Sequence, residues 1–539
     1  MRAGEAIADA IVAHGVDTIF GLLGDANMFL VADLVQRHGV RFVAARNENA
    51  AVMMADGWAR ATGRCGVVTV TQGPGLAVAG AALTIARQAG MPLVLIAGDT
   101  PPGDPLHVQS FPQQPFALAT AGAFVPVVAP ATAARDVGLA FRAAAERPGP
   151  VVLDVPIDLQ DEPVPAGAVP APAVVAYRPA SPAPTDAAVA ELVGLLAAAR
   201  RPVLLAGRGA EAAAEDVRRL ADWCGAVLAT TVLAAGLFAG HPYHLGVAGG
   251  LARPLTRRVL AEADLVVTLG AGLNRWTADH GALFPGARVV AVDVDARALG
   301  ARWPVDLGIV GDAAVTARAV TARLDPRERP EWRSAALAAQ IAEADPFDGI
   351  AFVEGSAGID PRAFMRICAR RLPARRTTVV GVGQFGGWPN LLLDSSAVDR
   401  AFIAPWEFGS IGVGLPYAVG AGVGRPDRPV VAFEGDGSLL TGLGELDTLA
   451  RVGAPVLLVV LDDGGYGAEV RKFAPRGVDP ALARFPARDL AAVARSLGVP
   501  AWTVTDEASA EAALDAALPV TGPAVLHVRV LPEVTQERF

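Results

Sequence analysis

Lysine is almost missing from this chain: Lys472 is the only one among its 46 lysine and arginine residues. That shortage closes two cofactor classes. A Walker A phosphate loop requires a Gly-Lys-Ser/Thr triplet, and none occurs. A pyridoxal enzyme requires a Schiff-base lysine, and a single residue is available for that role. Cysteine is equally sparse. Cys65, Cys224 and Cys368 are odd in number and far apart, so they read as small buried hydrophobes rather than a disulfide framework or zinc cluster. Long apolar runs are missing too. Although 52% of residues are hydrophobic, Gly, Pro or Arg breaks every stretch short of the roughly 20 residues a membrane span requires. Met1–Val12 carries Glu5 and Asp9, unlike a secretory leader. A formal net charge of −9 supplies no basic patch for nucleic acid or an anionic membrane. The expectation is a cytoplasmic protein with neither partner.

What is present is a repeated α/β pattern. A length of 539 residues exceeds one hydrophobic core. The opening alternates predicted helices (3–14, 29–38, 48–62) with predicted strands (17–21, 40–45, 66–71) and closes on an apolar strand at 151–155. Such alternation implies a parallel sheet covered on both faces. A Pro/Ala-rich stretch, 161–184, reads as a linker. A second α/β region has strands at 203–206, 265–269 and 289–293 and a helix at 211–223. A second linker is expected over about 325–361. The third region has strands at 377–380, 430–433, 456–461 and 524–530, with a helix at 443–452. Its last strand follows Gly522-Pro523 much as the first region's follows Gly149-Pro150, which suggests a shared topology. The fold class expected is α/β, with three doubly wound parallel-sheet domains at 1–165, 186–325 and 356–539.

The most specific chemical signal is Gly435-Asp436-Gly437-Ser438, followed 27 residues after Asp436 by Asp463 within Leu461-Asp-Asp-Gly-Gly-Tyr466. Both clusters end predicted strands of one sheet, and open parallel sheets bind ligands at such strand ends. Two carboxylates beside a phosphate site suit Mg²⁺, which takes a few protein oxygens and completes its shell with phosphate and water. Either cluster alone would pass for a surface turn; the pair at this spacing does not.

These motifs resemble those of the thiamine-diphosphate-dependent enzymes, and the resemblance runs along the whole chain, nearest to the acetolactate synthase and pyruvate decarboxylase group. It implies a pyrimidine-binding, a middle and a diphosphate-binding domain, with thiamine diphosphate and Mg²⁺ as cofactors. The metal would be held by Asp436, Asp463 and Gly465, the diphosphate region by Gly435, Gly437, Ser438, Gln384 and Phe385, with Tyr466 beside it. The family usually has Asn where this chain has Asp463. Arg46-Asn-Glu48 opens an Ala-rich helix ending Gly-Trp-Ala-Arg60; the matching family glutamate hydrogen-bonds the cofactor's N1′ and favours the 4′-imine that activates C2. Gly73, in Gln72-Gly-Pro-Gly75, matches a family turn near the cofactor. Phe408-Gly-Ser-Ile411 resembles the segment under the thiazolium, with Ile411 as the wedge and the Gly409 carbonyl as acceptor for the 4′-amino group.

The reaction is less closely specified. Asp25 and Glu469 match acidic residues of the decarboxylase branch, where protons must be delivered to the product. That branch's histidine pair is missing; His107 stands alone in a loop with Gln113 and Gln114, either of which could face substrate as in the family's lyases and synthases. The expected activity is decarboxylation or carboligation of a 2-oxo acid, with cleavage of a 2-hydroxy ketone or 2-hydroxyacyl compound, or a non-catalytic cofactor-binding homologue, as alternatives. FAD in the middle domain, hinted at by Ala206-Gly-Arg-Gly209, is possible but not favoured, because Ala271-Gly-Leu-Asn-Arg-Trp276 replaces the expected motif. The resemblance also implies a homodimer or homotetramer whose active site lies between subunits.

Overall fold

The computed structural model describes residues 1–104, 106–146, 148–168, 181–274, 276–394 and 400–536; the central half of the expected first linker lies outside them. Three six-stranded parallel sheets follow one another along the chain. The first comprises β1 (Thr18–Gly21), β2 (Arg41–Ala44), β3 (Gly66–Val70), β4 (Leu93–Asp99), β5 (Phe124–Pro126) and β6 (Pro150–Pro156), in the order β2-β1-β3-β4-β6-β5. The second comprises β7 (Pro202–Ala206), β8 (Val227–Thr230), β9 (His244–Val247), β10 (Leu265–Leu269), β11 (Arg288–Asp293) and β12 (Leu307–Val310), in the order β12-β11-β10-β7-β8-β9. The third comprises β13 (Thr377–Val380), β14 (Phe402–Ile403), β15 (Val430–Gly435), β16 (Val456–Asp462), β17 (Ala501–Val504) and β18 (Ala524–Arg529), in the order β14-β13-β15-β16-β18-β17. The first and third orders are the same, so the Gly-Pro echo before β6 and β18 marks a shared topology. Central strands such as β3 and β15 are buried along their whole length, as sheets covered on both faces require.

One expectation changes. The second linker holds a helix, Ala335–Glu343, and belongs to the middle domain's packing. Trp332 and Leu337 sit in that domain's core, and the Trp332 indole donates to the Pro202 carbonyl at 2.9 Å. The polar pattern of 325–361 hid this because only one side of the segment is apolar. No helix among the described residues is long and apolar enough to cross a membrane.

The outer domains meet through two helices, Glu48–Thr62 and Gly414–Gly424. Both are rich in small residues, and the backbones approach closely: a Cβ on Gly57 would strike the Tyr417 backbone, and one on Gly420 the Met54 carbonyl. Replacing Gly420 with Ala should therefore push the helices apart and cost about 1–3 kcal/mol as overpacking. A denaturant melt of the variant checks this; an unchanged midpoint would mean the helices slide freely.

Buried charge locks the same interface. Arg60 Nε donates to Asp56 at 2.9 Å, and its Nη1 to Glu407 at 2.9 Å. The Tyr417 hydroxyl donates to Asp56 at 2.5 Å. Glu407 immediately precedes the Phe408–Ile411 segment, so this network ties the domain contact to one wall of the cleft described next.

Candidate functional site

In the third sheet, β13 and β15 are neighbours whose chains leave in opposite directions, to β14 and to β16. The crevice at such a switch point is where open α/β sheets bind ligands. A cleft of about 480 Å³ lies there. The loop after β13 supplies Gln384 and Phe385, the end of β15 supplies Gly435 to Ser438, and the loop after β16 supplies Asp463, Gly465 and Tyr466. Gly409 and Ile411 close it from the side, and Glu469 lies at its wall on helix Gly467–Phe473. The structure thus gathers the predicted diphosphate, metal and wedge residues into one place.

The glycines are there for space. A Cβ at Gly435 would meet the Phe385 ring at 2.9 Å, and one at Gly437 the rings of Phe485 and Tyr466 at 2.8 Å. Gly409 has φ +72, a left-handed turn that a side chain disfavours.

The electrostatics favour a cation. Burial, with the charges of Asp462 and Asp463 nearby, pushes the Asp436 carboxyl well above the usual carboxylate range. Burial likewise raises Asp463, to about 6, although Arg484 opposes the shift. Two buried carboxyls that repel each other gain most when an ion arrives between them. Among the described residues no group of three or more His, Cys, Asp or Glu side chains is arranged to hold a metal. Two carboxylates and a backbone oxygen completed by phosphate therefore match Mg²⁺ better than a cage of protein ligands. The Gln384 Oε1 is buried at the cleft without a partner, an acceptor that a cation or a donor would satisfy, while the Nε2 of the same amide can donate to a diphosphate. These residues fit a metal-bound diphosphate.

A pH dependence follows. In the metal-free protein these carboxyls hold protons that the unfolded chain has already released, so stability should fall as pH rises between about 5 and 8. Mg²⁺ with thiamine diphosphate favours the ionised carboxylates and should flatten or reverse that slope. Thermal melts with and without the ligands check it; parallel slopes would show that Asp436 and Asp463 do not face the ion.

Several predicted residues are placed elsewhere. Gln113 is buried, and it is a correction: its Oε1 accepts from the Gly73 N–H at 2.9 Å and its Nε2 donates to Gly98 and Asp154. It holds the first domain together and cannot face substrate. Gly73, with φ +56, has its N–H engaged by that same bond. Gln114 is exposed and does not line the cleft. His107 Nδ1 accepts from the Gln109 N–H at 3.2 Å, a local turn within its loop. Ser438 lines the cleft, and its hydroxyl also accepts from the Gly412 N–H at 2.7 Å, which pins the Gly409–Gly412 segment beside it. Glu48 is half-buried at its helix start and is not among the cleft's lining residues.

Asp25 lies at the first domain's own switch point, beyond β1 and β3. Thr71 Oγ1 lies 3.1 Å from Asp25 and 2.5 Å from the Gln72 amide, which reaches Gln109 at 2.7 Å. Sequence reasoning missed Gln72 and Gln109; their signal was a strand end at Thr71 and a loop glutamine four residues before Gln113. It also missed Trp388 and the terminal stretch Val530, Leu531, Pro532 and Val534, which line the cleft.

The middle domain does not fit a flavin. At its switch point between β7 and β10, the Gly207 and Gly209 N–H groups, which a phosphate would require, donate to Leu269 and Gly270 at 3.0 Å. Arg208 turns away to the Ala89 carbonyl.

Comparison with known families agrees with this geometry. Residues 1–119 match the N-terminal TPP binding domain of the thiamine pyrophosphate enzymes, 189–320 their central domain, and 381–528 their C-terminal TPP binding domain. An acetolactate synthase large subunit from Parasynechococcus marenigrum (strain WH8102) is 31% identical over 97% of this chain and 87% of its own length. A sulfoacetaldehyde acetyltransferase from Alcaligenes xylosoxydans xylosoxydans is 30% identical over 87% and 82%. A probable 2-ketoarginine decarboxylase from Pseudomonas aeruginosa is 30% identical over 87% and 83%. With all three domains matched in order around a cleft of this chemistry, the chain belongs to the thiamine pyrophosphate enzyme family, in its acetolactate synthase and decarboxylase group.

Proposed function

We propose that this enzyme decarboxylates a 2-oxo acid, with carboligation of the product to a second carbonyl as the variant reaction, using thiamine diphosphate and Mg²⁺. The observation that carries the reading is the switch-point cleft, which Asp436, Asp463 and Glu469 all line. Thiamine diphosphate, when bound, supplies a carbanion nucleophile and an electron sink. The protein's part is placement. Asp436, Asp463 and the Gly465 carbonyl hold the ion, and Gln384 and the Gly435–Gly437 backbone receive the diphosphate. Ile411 and the Gly409 carbonyl, which line the cleft, would border the cofactor's rings. Glu469 and Asp25 are the carboxyl groups we assign to proton transfer to the product.

Within one chain, Glu48 and Asp25 do not line this cleft. Leu23, Met28 and Phe29 near Asp25, and Phe408 and Ile411 at the cleft, are large apolar side chains left exposed. Apolar surface of this kind marks an interaction site. We propose that a second copy covers it and brings its Glu48 and Asp25 to the cleft, making the homodimer the catalytic unit.

The test is incubation of the protein with thiamine diphosphate, Mg²⁺ and ¹³C-labelled pyruvate, with a panel of longer 2-oxo acids, read by NMR. An aldehyde product means decarboxylase and a hydroxy ketone or acetolactate-type product means carboligase. If the cofactor binds and no 2-oxo acid turns over, the reading fails in favour of a lyase acting on 2-hydroxy ketones.

A further inference from the structure

Asp462, beside Asp463 and close enough to Asp436 to help raise its carboxyl, is not one of the proposed ligands, yet its carboxylate is fixed at both oxygens. Oδ1 accepts from the Gly464 N–H at 3.0 Å. Oδ2 lies 2.7 Å from His527 Nε2. His527 sits in the middle of β18, paired with Val460 of β16 and Thr503 of β17, and is fully buried. Its Nδ1 has no partner, so the contact with Asp462 is this imidazole's polar role among the described residues. A buried histidine with one hydrogen bond, aimed at a loop, is an anchor for that loop.

The loop is Asp463-Gly464-Gly465, with Gly464 at φ +73. Its outer side is gripped by the segment across from it. Arg484 donates to the Asp463 carbonyl at 2.6 Å, the Phe485 N–H to the Gly464 carbonyl at 3.0 Å, and the Tyr466 N–H to the Ala483 carbonyl at 2.9 Å. On the inner side the Asp462 backbone ends β16, its carbonyl accepting from the Val530 N–H at 2.9 Å, and the His527 contact fixes its side chain. Three adjacent acids, Asp436, Asp462 and Asp463, would otherwise crowd one ion and a diphosphate with more negative charge than Mg²⁺ can offset.

We propose that His527 is a positioning residue for the metal site: it holds Asp462 against the sheet, so that Asp462 caps Gly464 and leaves the ion to Asp436, Asp463 and the Gly465 carbonyl. The inference rests on the cofactor reading above. Groups that orient metal ligands set metal affinity by about 10–100-fold, and His527 acts on them one step further back, through Asp462 and the Gly464 turn.

Trp388 lines the cleft and provides a readout that does not depend on turnover. The full chain, freed of cofactor with a chelator, is titrated with Mg²⁺ at saturating thiamine diphosphate while tryptophan fluorescence is followed. His527→Leu should raise the Mg²⁺ dissociation constant by about 10–100-fold. His527→Gln, whose amide can reach the same oxygen, should restore most of the affinity. Asp462→Ala cuts the same contact from the loop side, where the gap opens toward solvent, and should reproduce the loss if His527→Leu does not fold. Unchanged Mg²⁺ affinity in a folded His527→Leu or in Asp462→Ala would overturn the proposal, as would a Gln variant as weak as the Leu variant. A wild-type chain with no Mg²⁺-dependent signal would instead overturn the cofactor reading, and this inference with it.

Discussion

Chains carrying Glu48→Gln should turn over 2-oxo acid roughly 10²–10⁴-fold more slowly than wild type, the range for loss of a proton-transfer group, while still binding cofactor. The residues proposed to hold the metal and diphosphate lie on the third domain, so the substitution should leave them intact. The more informative result is the mixture. Glu48 opens a helix of the first domain and is not among the residues lining its own chain's cleft. Chains bearing Asp436→Ala keep Glu48 but lose a metal ligand. If the site is composite, a mixed dimer has one cleft with intact Asp436 and intact Glu48, and one with neither. Random re-pairing of equal amounts should recover about a quarter of wild-type activity, since half the two-fold dimers are mixed and each has one working site. Dissociation, mixing and assay of the two inactive variants measures this directly. No recovery would place Glu48 and the cleft in one chain and remove the homodimer from the mechanism.

Replacing Arg60 with Met should destabilise the protein by about 3–5 kcal/mol, because it leaves two buried carboxylates without their cation. The Arg60 and Asp56 side chains are 5% and 0% exposed and that of Glu407 15%, so water cannot screen the loss. Burial disfavours the Arg60 charge, but Asp56 and Glu407 more than offset that and hold its pKa above the ordinary arginine value. Tyr417→Phe is the milder comparison: it removes one hydrogen bond from Asp56, worth about 1 kcal/mol, and leaves the ion pairs. Denaturant melts of both variants give the two numbers. A loss under about 1 kcal/mol for Arg60→Met would mean that the interface opens to water and the network does not hold the domains. Because Glu407 adjoins Phe408, the Met variant should also weaken cofactor binding.

The element types were legible where local physics is strong. Helix Glu48–Thr62 is predicted and found with the same limits, since Asn47 caps its start, accepting from the Asn49 N–H at 2.9 Å, and Gly63 ends it in the left-handed region. That Asp436 and Asp463 meet at one cleft was legible because a strand end fixes Asp436 and the next strand's end fixes Asp463. Gln113 was misread for the opposite reason. Gln109 lies on an irregular loop and Gln113 opens the helix that follows it, Gln113–Thr120, and nothing in their order says which amide turns inward to Gly73 and Asp154. The helix at 335–343 was missed because its partner surface, around Pro202, lies over 130 positions away in sequence.

By itself, then, the sequence determined the three α/β domains, the cofactor class and the residues that meet at the third sheet's switch point, because period, strand ends and glycine spacing are local properties of the chain. The tertiary structure decided the rest. Only packing brings His527 from β18 to Asp462 and Arg60 from the first domain to Glu407 of the third, and it turns Gln113 into the core. Those contacts join residues 40 to nearly 350 positions apart, and their partners are chosen by which buried charge or amide would otherwise be left unpaired.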